Sequence, residues 1–441
     1  MGMTYNNLDI ARRRWLPLLA GLLFLFSLVP EAWQLKYTIL IVVPWVYLLS
    51  GVPIYRPDGV LVFFYYLYAI CYPTFLILSD EFYKIEILLT VTNAGYAALF
   101  FSFAVFSPRK HSGESISIDS RFNRFVGLVS EYAIPILISI LFIITLSKGF
   151  ETKRAINDSA GFVAIIKVSL MVLFVYASIN VSHLLLVQGN AIRKILFFSL
   201  FGVVLAIGIG ERDVFFRFCF VVTIFWFSVY QNFKTRYYVF GFVGLLVLLS
   251  ISQQAKNFLL TGSLYDTGFS GLRWVFFNEF SAGSRNLYHV IINGKLLDSE
   301  NLIINDLVRF VDVLNISESA QSATDWYNNK YRLDNDFSGT SGWGFGLIAE
   351  LYYTFNRTGV FVGVFLVSSL TVLVYNKLWN TLIGRVLVLI LYSAVIYSFR
   401  SDVANLLGLF FKWGVIAIGF AYFSYFLLFG SRGVHGRTTR L

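Results

Sequence analysis

Three short stretches carry the residues of this chain that could do chemistry. Gly208-Ile209-Gly210-Glu211-Arg212-Asp213-Val214-Phe215-Phe216-Arg217 presses a charged triplet between two apolar runs. Phe280-Ser281-Ala282-Gly283-Ser284-Arg285-Asn286 lies early in a long polar segment, and Tyr397-Ser398-Phe399-Arg400-Ser401-Asp402 separates two further apolar runs. Charge at the edge of a membrane span is costly to place, so such clusters invite a functional explanation. Arginine suits one chemistry above others: its planar guanidinium donates two parallel hydrogen bonds to phosphate oxygens and stays charged at any relevant pH. Several arginines gathered at one membrane face would hold a diphosphate. Arg212, Arg285 and Arg400 lead that set, with Lys153, Arg154, Glu211 and Arg217 behind them. A single one is explained as well by local pairing with Glu211 or Asp213, or by lipid headgroups; the inference rests on several arriving together.

Two carboxylates are candidates for catalysis. Glu350, within the apolar run Leu347-Ile348-Ala349-Glu350-Leu351-Tyr352-Tyr353, is expensive unless paired, and reads first as a counter-ion to an arginine and second as a general base. Asp402, two residues after Arg400, carries the same two readings. Asp334-Asn335-Asp336 fits an Asp-x-Asp divalent-metal pattern, but Asp and Asn also crowd together in turns, and the turn reading is preferred. Of the histidines, His111 and His435 fall in cytoplasmic segments and His183 in a span, leaving His289 alone on the outer side, too few for a metal. No P-loop, GxGxxG or Ser/His/Asp arrangement is present. Cys71 and Cys219 lie within apolar runs, so no disulfide or zinc site follows, and no metal or cofactor is expected.

The elements that must position these residues are membrane helices. Of 441 residues, 57% are hydrophobic and 14% charged, and the mean hydropathy is +0.70, which excludes an ordinary soluble protein. Apolar runs at about 15–30, 37–51, 60–78, 85–106, 126–147, 162–187, 195–210, 214–230, 238–253, 358–376, 382–398 and 404–429 give about twelve expected spans in an all-α polytopic protein. With the N-terminus inside, the even connections and the tail hold most of the lysines and arginines, from Arg12-Arg13-Arg14 through Arg109-Lys110 to Arg432, Arg437 and Arg440. The net charge of +10 therefore reads as topology, not as a nucleic-acid surface. Arg12-Arg13-Arg14 and the run after it imitate a signal peptide, but no small-residue cleavage site follows, and an uncleaved first span is expected.

This topology divides the chain into spans 1–9 over 1–253, a large outer loop over 254–341, a re-entrant or interfacial helix over 342–357, spans 10–12 over 358–430 and a cytoplasmic tail over 431–441. It brings Lys153, Arg154, Arg212, Arg285 and Arg400 to one outer face, where the positive-inside rule predicts no such excess. The loop is too long for a mere connection and reads as a cap; Leu302–Leu314, with Asp306, Arg309 and Asp312 at spacings of three, is its clearest helix. Aromatic residues make up 18% of the chain; most would face lipid or pack between helices, and a few could line a groove for a polyprenyl chain or stack on sugar rings.

Taken together, Gly210-Glu211-Arg212-Asp213, Phe280-Ser281-Ala282-Gly283-Ser284-Arg285-Asn286, Ser341-Gly342-Trp343-Gly344-Phe345-Gly346-Leu347-Ile348-Ala349-Glu350-Leu351-Tyr352 and Phe399-Arg400-Ser401-Asp402 make the chain resemble the Wzy-type oligosaccharide repeat unit polymerases of bacterial surface polysaccharides, O-antigen polymerases among them. The resemblance covers nearly the whole chain in order and span number. It implies a GT-C-like membrane glycosyltransferase of the cell inner membrane that transfers a growing glycan from undecaprenyl diphosphate onto a lipid-linked repeat unit at the periplasmic face. Arg212, Arg285 and Arg400 match the family's arginines and would hold the diphosphates of donor and acceptor; Glu350 matches its late acidic residue. Membrane lipids and a chain-length regulator are the further partners it implies. Asn356-Arg357-Thr358-Gly359 departs from the Gly-rich turn of many members. Two rivals stand beside this reading. An O-antigen ligase would need a loop histidine, for which only His289 serves. A transporter or flippase would need charge along a central path, where only Lys167, Arg217, Arg357 and Lys412 lie within spans.

Overall fold

A computed structural model of the chain describes residues 3–29, 32–109, 117–147, 161–189, 191–208, 212–230, 234–241, 243–244, 269–293, 301–311, 322–331, 344–429 and 439–440. Apart from one two-residue strand pair, Ser117–Ile118 against Thr439–Arg440, these residues form helices and their short connections. In order the helices are α1 (Met3–Phe26), α2 (Trp33–Leu49), α3 (Pro57–Leu78), α4 (Ile85–Phe106), α5 (Ser120–Ser147), α6 (Gly161–Gln188), α7 (Ile192–Gly208) and α8 (Arg212–Tyr230). They continue with α9 (Phe269–Asn293), α10 (Leu302–Val311), α11 (Ala323–Tyr331), α12 (Leu347–Leu378), α13 (Leu382–Ser398) and α14 (Val403–Phe429). The stretch Gly408–Ile416 of α14 has π spacing.

Seven of the described helices, α3, α4, α5, α6, α8, α12 and α14, are long and apolar enough to cross a membrane, and Arg14–Phe26, α2 and α13 are shorter apolar helices. The protein is an all-helical, membrane-embedded bundle. Its centre is α3 and α4, whose apolar residues are buried almost all round, whereas α5 and α14 expose rows such as Tyr132, Ile136 and Ile143, or Phe420, Phe423 and Leu427, to the lipid. Pro17, Pro44, Pro73 and Pro135 lie inside helices, where neighbouring helices tolerate the missing hydrogen bond. The apolar runs at 85–106 and 382–398 are helices with those bounds, and most of the run at 238–253 lies outside the described residues.

The connections sort into two ends. At one end Arg56 grips buried Asp58 with two hydrogen bonds, of 3.0 and 2.6 Å, Tyr47 donates to the same carboxylate at 2.8 Å, and Tyr238 donates to the Val52 carbonyl at 2.9 Å. Lys194 pairs with Glu131, and Arg109 meets Asn376, at that same end. At the opposite end Lys36, almost fully buried, donates to Glu86 and Thr90 at 2.9 and 2.7 Å. Lys84 there caps the last turn of α9 through the Ile291 and Ile292 carbonyls, both at 3.1 Å. A lysine suits a helix C-terminus, where orphan carbonyls and the negative end of the dipole face it. This second end carries the candidate site.

α12 is two helical pieces. Asn356, at φ 60, breaks it, and asparagine is among the few residues that enter positive φ at modest cost. Beyond the break, a Cβ on Gly363 would come within 2.5 Å of the Leu351 side chain, and one on Gly359 within 2.8 Å of the Leu351 carbonyl oxygen. In a straight helix, eight and twelve residues of separation mean about 12 and 18 Å of rise. Residues 347–355 therefore fold back on 359–363, and glycine at 359 and 363 permits the approach. The apolar stretch too short to span ends at this break.

Candidate functional site

The site is built around one tight turn. Phe399–Ser401, between α13 and α14, is gripped from both sides by backbone that carries no side chain. A Cβ on Gly283 of α9 would lie 2.1 Å from the Phe399 carbonyl oxygen, and one on Gly344 the same distance from the Arg400 carbonyl oxygen. A Cβ on Gly346 would lie 2.5 Å from the Phe399 oxygen. Ser284 Oγ donates to the Tyr68 carbonyl at 2.8 Å, Phe280 packs edge-on against Tyr68, and Asn286 Nδ2 donates to the Gly344 carbonyl at 2.6 Å. The segment that the sequence placed in an outer loop is thus a helix seated on α3, and it delivers Arg285 two residues from the point where α9 touches the Arg400 turn. Gly283→Val puts three carbon atoms against a backbone carbonyl that cannot rotate away. We expect it to cost about 1–3 kcal/mol, read as a lower melting temperature and poorer yield of purified protein, with Ser284→Ala far milder.

Arg217 and Arg400 flank one ring. Their guanidinium carbons lie 5.2 and 5.4 Å from the centroid of Tyr397, both within cation–π range. Arg285 is flanked by Tyr72, Tyr327 and His289. Burial lowers its pKa while Tyr327 and Tyr72 raise it, and a guanidinium remains charged at neutral pH through such a shift. His289, one turn on along α9, shares a 2.8 Å hydrogen bond with Tyr327 Oη, which itself donates to Asn286 Oδ1 at 3.2 Å. Burial and then the Arg285 charge push the His289 pKa down to about 4, so at neutral pH its ring is uncharged.

The carboxylates do a different job. The first three N–H groups of α14 are each taken by an acid: Val403 N donates to Glu350 Oε2 at 3.0 Å, Ala404 N to Asp306 Oδ2 at 3.0 Å, and Asn405 N to Asp402 Oδ1 at 2.9 Å. Helix N-termini carry orphan donors and the positive end of the dipole, and three acids drawn from three parts of the chain serve them here. Asp306 Oδ1 also accepts from Ala323 N at 2.8 Å and Asp402 Oδ2 from Thr324 N at 3.3 Å, so the same acids fasten the start of α11. Tyr327 then stacks on Phe345, and Trp326 packs on Tyr353. All three acids are fully buried. Neither Glu350 nor Asp402 pairs with an arginine among the described residues; each accepts from a backbone N–H at the start of α14, and the Glu350 side chain also faces Asp306.

Asp306 is the anchoring residue that sequence reading missed. Its burial, then the Asp402 charge, push its pKa up to about 7 against the N–H groups of Ala323 and Ala404 and the Arg309 charge, which lower it. An acid whose pKa is higher docked than free holds more protons when docked, so docking weakens as pH rises from about 4 through 7. Once exchange rates are corrected for the base catalysis that speeds every amide as pH rises, protection in 301–311 and 322–331 is expected to be higher at pH 5.5 than at pH 8, and Asp306→Asn is expected to flatten that difference. The signal in the sequence was an aspartate one turn after Leu302 on the same helix face.

Of the arginines expected to meet, Arg217 and Arg400 share the Tyr397 ring, while Arg285 stands two residues from the point where α9 touches the Arg400 turn, among Tyr72, Tyr327 and His289. Arg212 opens α8, one end of which thus lies beside this site, while its side chain lies outside the described residues, as do Lys153, Arg154, Glu211 and the Asp334-Asn335-Asp336 turn. No protein-family model, curated protein or solved structure matches this chain.

Proposed function

We propose that the chain is a polymerase of lipid-linked oligosaccharide repeat units. It would pass a growing glycan from undecaprenyl diphosphate to the non-reducing end of a second lipid-linked unit at the periplasmic face of the inner membrane. The observation that supports this reading is the α13–α14 turn, where Arg400 shares the Tyr397 ring with Arg217 of α8 and against which α9, the helix that carries Arg285, packs through Gly283. Breaking a glycosyl-diphosphate bond leaves charge on the departing diphosphate, and preorganised guanidinium groups in a partly dry site stabilise it without a metal. Twelve spans in a GT-C-like arrangement would carry the site, with α10 and α11 covering it and the membrane lipids and a chain-length regulator around it. The attacking sugar hydroxyl needs little base, since diphosphate leaves readily. Glu350 and Asp402, spent on the α14 N-terminus, are in this account the frame that fixes Arg400.

The test is genetic. Deleting the chain from its host is expected to collapse the surface polysaccharide from a ladder of lengths to a single repeat unit, and restoring it to return the ladder; an unchanged ladder after deletion would refute the proposal. An O-antigen ligase is the second reading, favoured by His289 one turn from Arg285 and bonded to Tyr327. Deletion would then leave long glycan on undecaprenyl diphosphate instead of single units. Of the four basic residues that a transporter reading would use, Lys412 lies 5.6 Å from the ring centroid of Phe310 on α10.

A further inference from the structure

A cleft runs between α6, α8, α13 and α14, lined by Phe174 and Ser178, by Val214, Arg217, Phe218 and Val221, by Ile390 and Ser393, and by Leu409 and Trp413. Its wall is apolar except for one guanidinium and two hydroxyls. The free space of about 50 Å³ is several times the ~15 Å³ a single water needs, enough for a few carbons of a chain and too narrow for a sugar ring. Part of the wall, Leu409 and Trp413, belongs to the π-spaced stretch of α14, where the wider turn opens the packing; such stretches recur at functional sites.

The cleft has a direction. On α13, Tyr397 lies one turn nearer to Arg400 than Ser393, and Ile390 lies about a turn beyond that. On α8, Arg217 lies one turn nearer to Arg212 than Val221. The charged end, where Arg217 and Arg400 share the Tyr397 ring, is thus at the boundary, and the apolar end points into the bilayer. An arginine placed on a span beside an otherwise apolar wall is costly, and an anion at its head compensates that cost.

We infer that this cleft seats the first isoprene unit of a polyprenyl diphosphate, with Arg217 on its phosphate and Val221, Ile390 and Trp413 beside its carbons. The assignment deepens the proposed reaction and rests on it for the identity of the lipid. It makes Arg217 a substrate-binding residue and the π-spaced turn a specificity element for the branched chain.

The test uses full-length purified protein in nanodiscs and three probes: inorganic diphosphate, farnesyl diphosphate and undecaprenyl diphosphate. Affinity is expected to rise by at least about tenfold from the first probe to the second, which the burial of two methylene groups already provides. Val221→Trp, which fills the cleft, is expected to abolish that rise while binding inorganic diphosphate as the wild type does. As a measurement independent of any variant, a farnesyl diphosphate bearing a diazirine on its chain is expected to label peptides containing Phe218, Ile390 or Trp413. A chain-dependent rise that persists in Val221→Trp, labelling confined to other helices, or equal displacement of the probe by phosphatidylglycerol would overturn the assignment. Prenyl-dependent binding in a protein that makes no polymer would refute the polymerase reading alone and leave the cleft assignment standing.

Discussion

Arg400→Ala is expected to slow glycan extension about a hundredfold or more, at unchanged expression and melting temperature. Removing one preorganised donor to a developing negative charge typically costs about 10²–10³ in rate. The fold should survive, because the turn is held by backbone: Arg400 N donates to the Tyr397 carbonyl at 3.1 Å, and Gly283, Gly344 and Gly346 grip Phe399 and Arg400 through main-chain atoms. Arg400→Lys keeps the charge but loses the fork of parallel donors, so it should fall between wild type and alanine. Arg285→Ala should show a loss of similar size, and the double variant less than the product of the two, since groups acting on one diphosphate are not additive. Rates are read from single-turnover extension of a labelled lipid-linked unit, and wild-type rates in both single variants would contradict the assignment.

The second large effect concerns the frame. Asp306→Ala strips the acceptor from two buried donors, Ala323 N and Ala404 N. Each orphaned group costs about 1–3 kcal/mol, so about 2–6 kcal/mol of docking free energy is at stake before any relief of repulsion with Glu350 and Asp402. Limited proteolysis is expected to cut within Leu302–Val311 or Ala323–Tyr331 in Asp306→Ala and not in the wild type, with loss of extension. Asp402→Asn, by contrast, keeps a good N-cap for Asn405 and sheds a buried charge, losing only the long 3.3 Å bond from Thr324 N. It should fold, resist protease and retain most activity. An inactive but well-folded Asp402→Asn would instead assign that carboxylate to the chemistry.

What the sequence made legible follows from where the costs lie. An arginine beside a span is expensive wherever it is placed, so Arg285, Arg400 and Arg217 stood out by type alone. The packing of α9 and of Gly344 on the Phe399–Arg400 turn depends on contacts between distant segments, and a glycine in a sequence does not announce which backbone it will touch. Glu350 stood out for the same reason as the arginines, but its partner proved to be the N–H of Val403. A helix N-terminus is a positive partner that counting charged residues overlooks. Asp306 was legible as part of a helix and illegible as an anchor, because the burial of the Leu302–Asp306 face depends on α11 and α14 lying over it. The small residues of 281–284 likewise disguised a packed helix as the start of a polar loop.

The central claim is metal-independent glycan transfer between lipid diphosphates, and one assay addresses it directly. Purified protein is given a single species of undecaprenyl-diphosphate-linked repeat unit in the presence of excess chelator, and the products are separated by length. The account predicts a ladder of lipid-linked dimers and longer chains with release of undecaprenyl diphosphate, lost in Arg400→Ala. Unextended substrate with folded wild-type protein that binds the lipid-linked unit, or extension only when a divalent cation is restored, would contradict it.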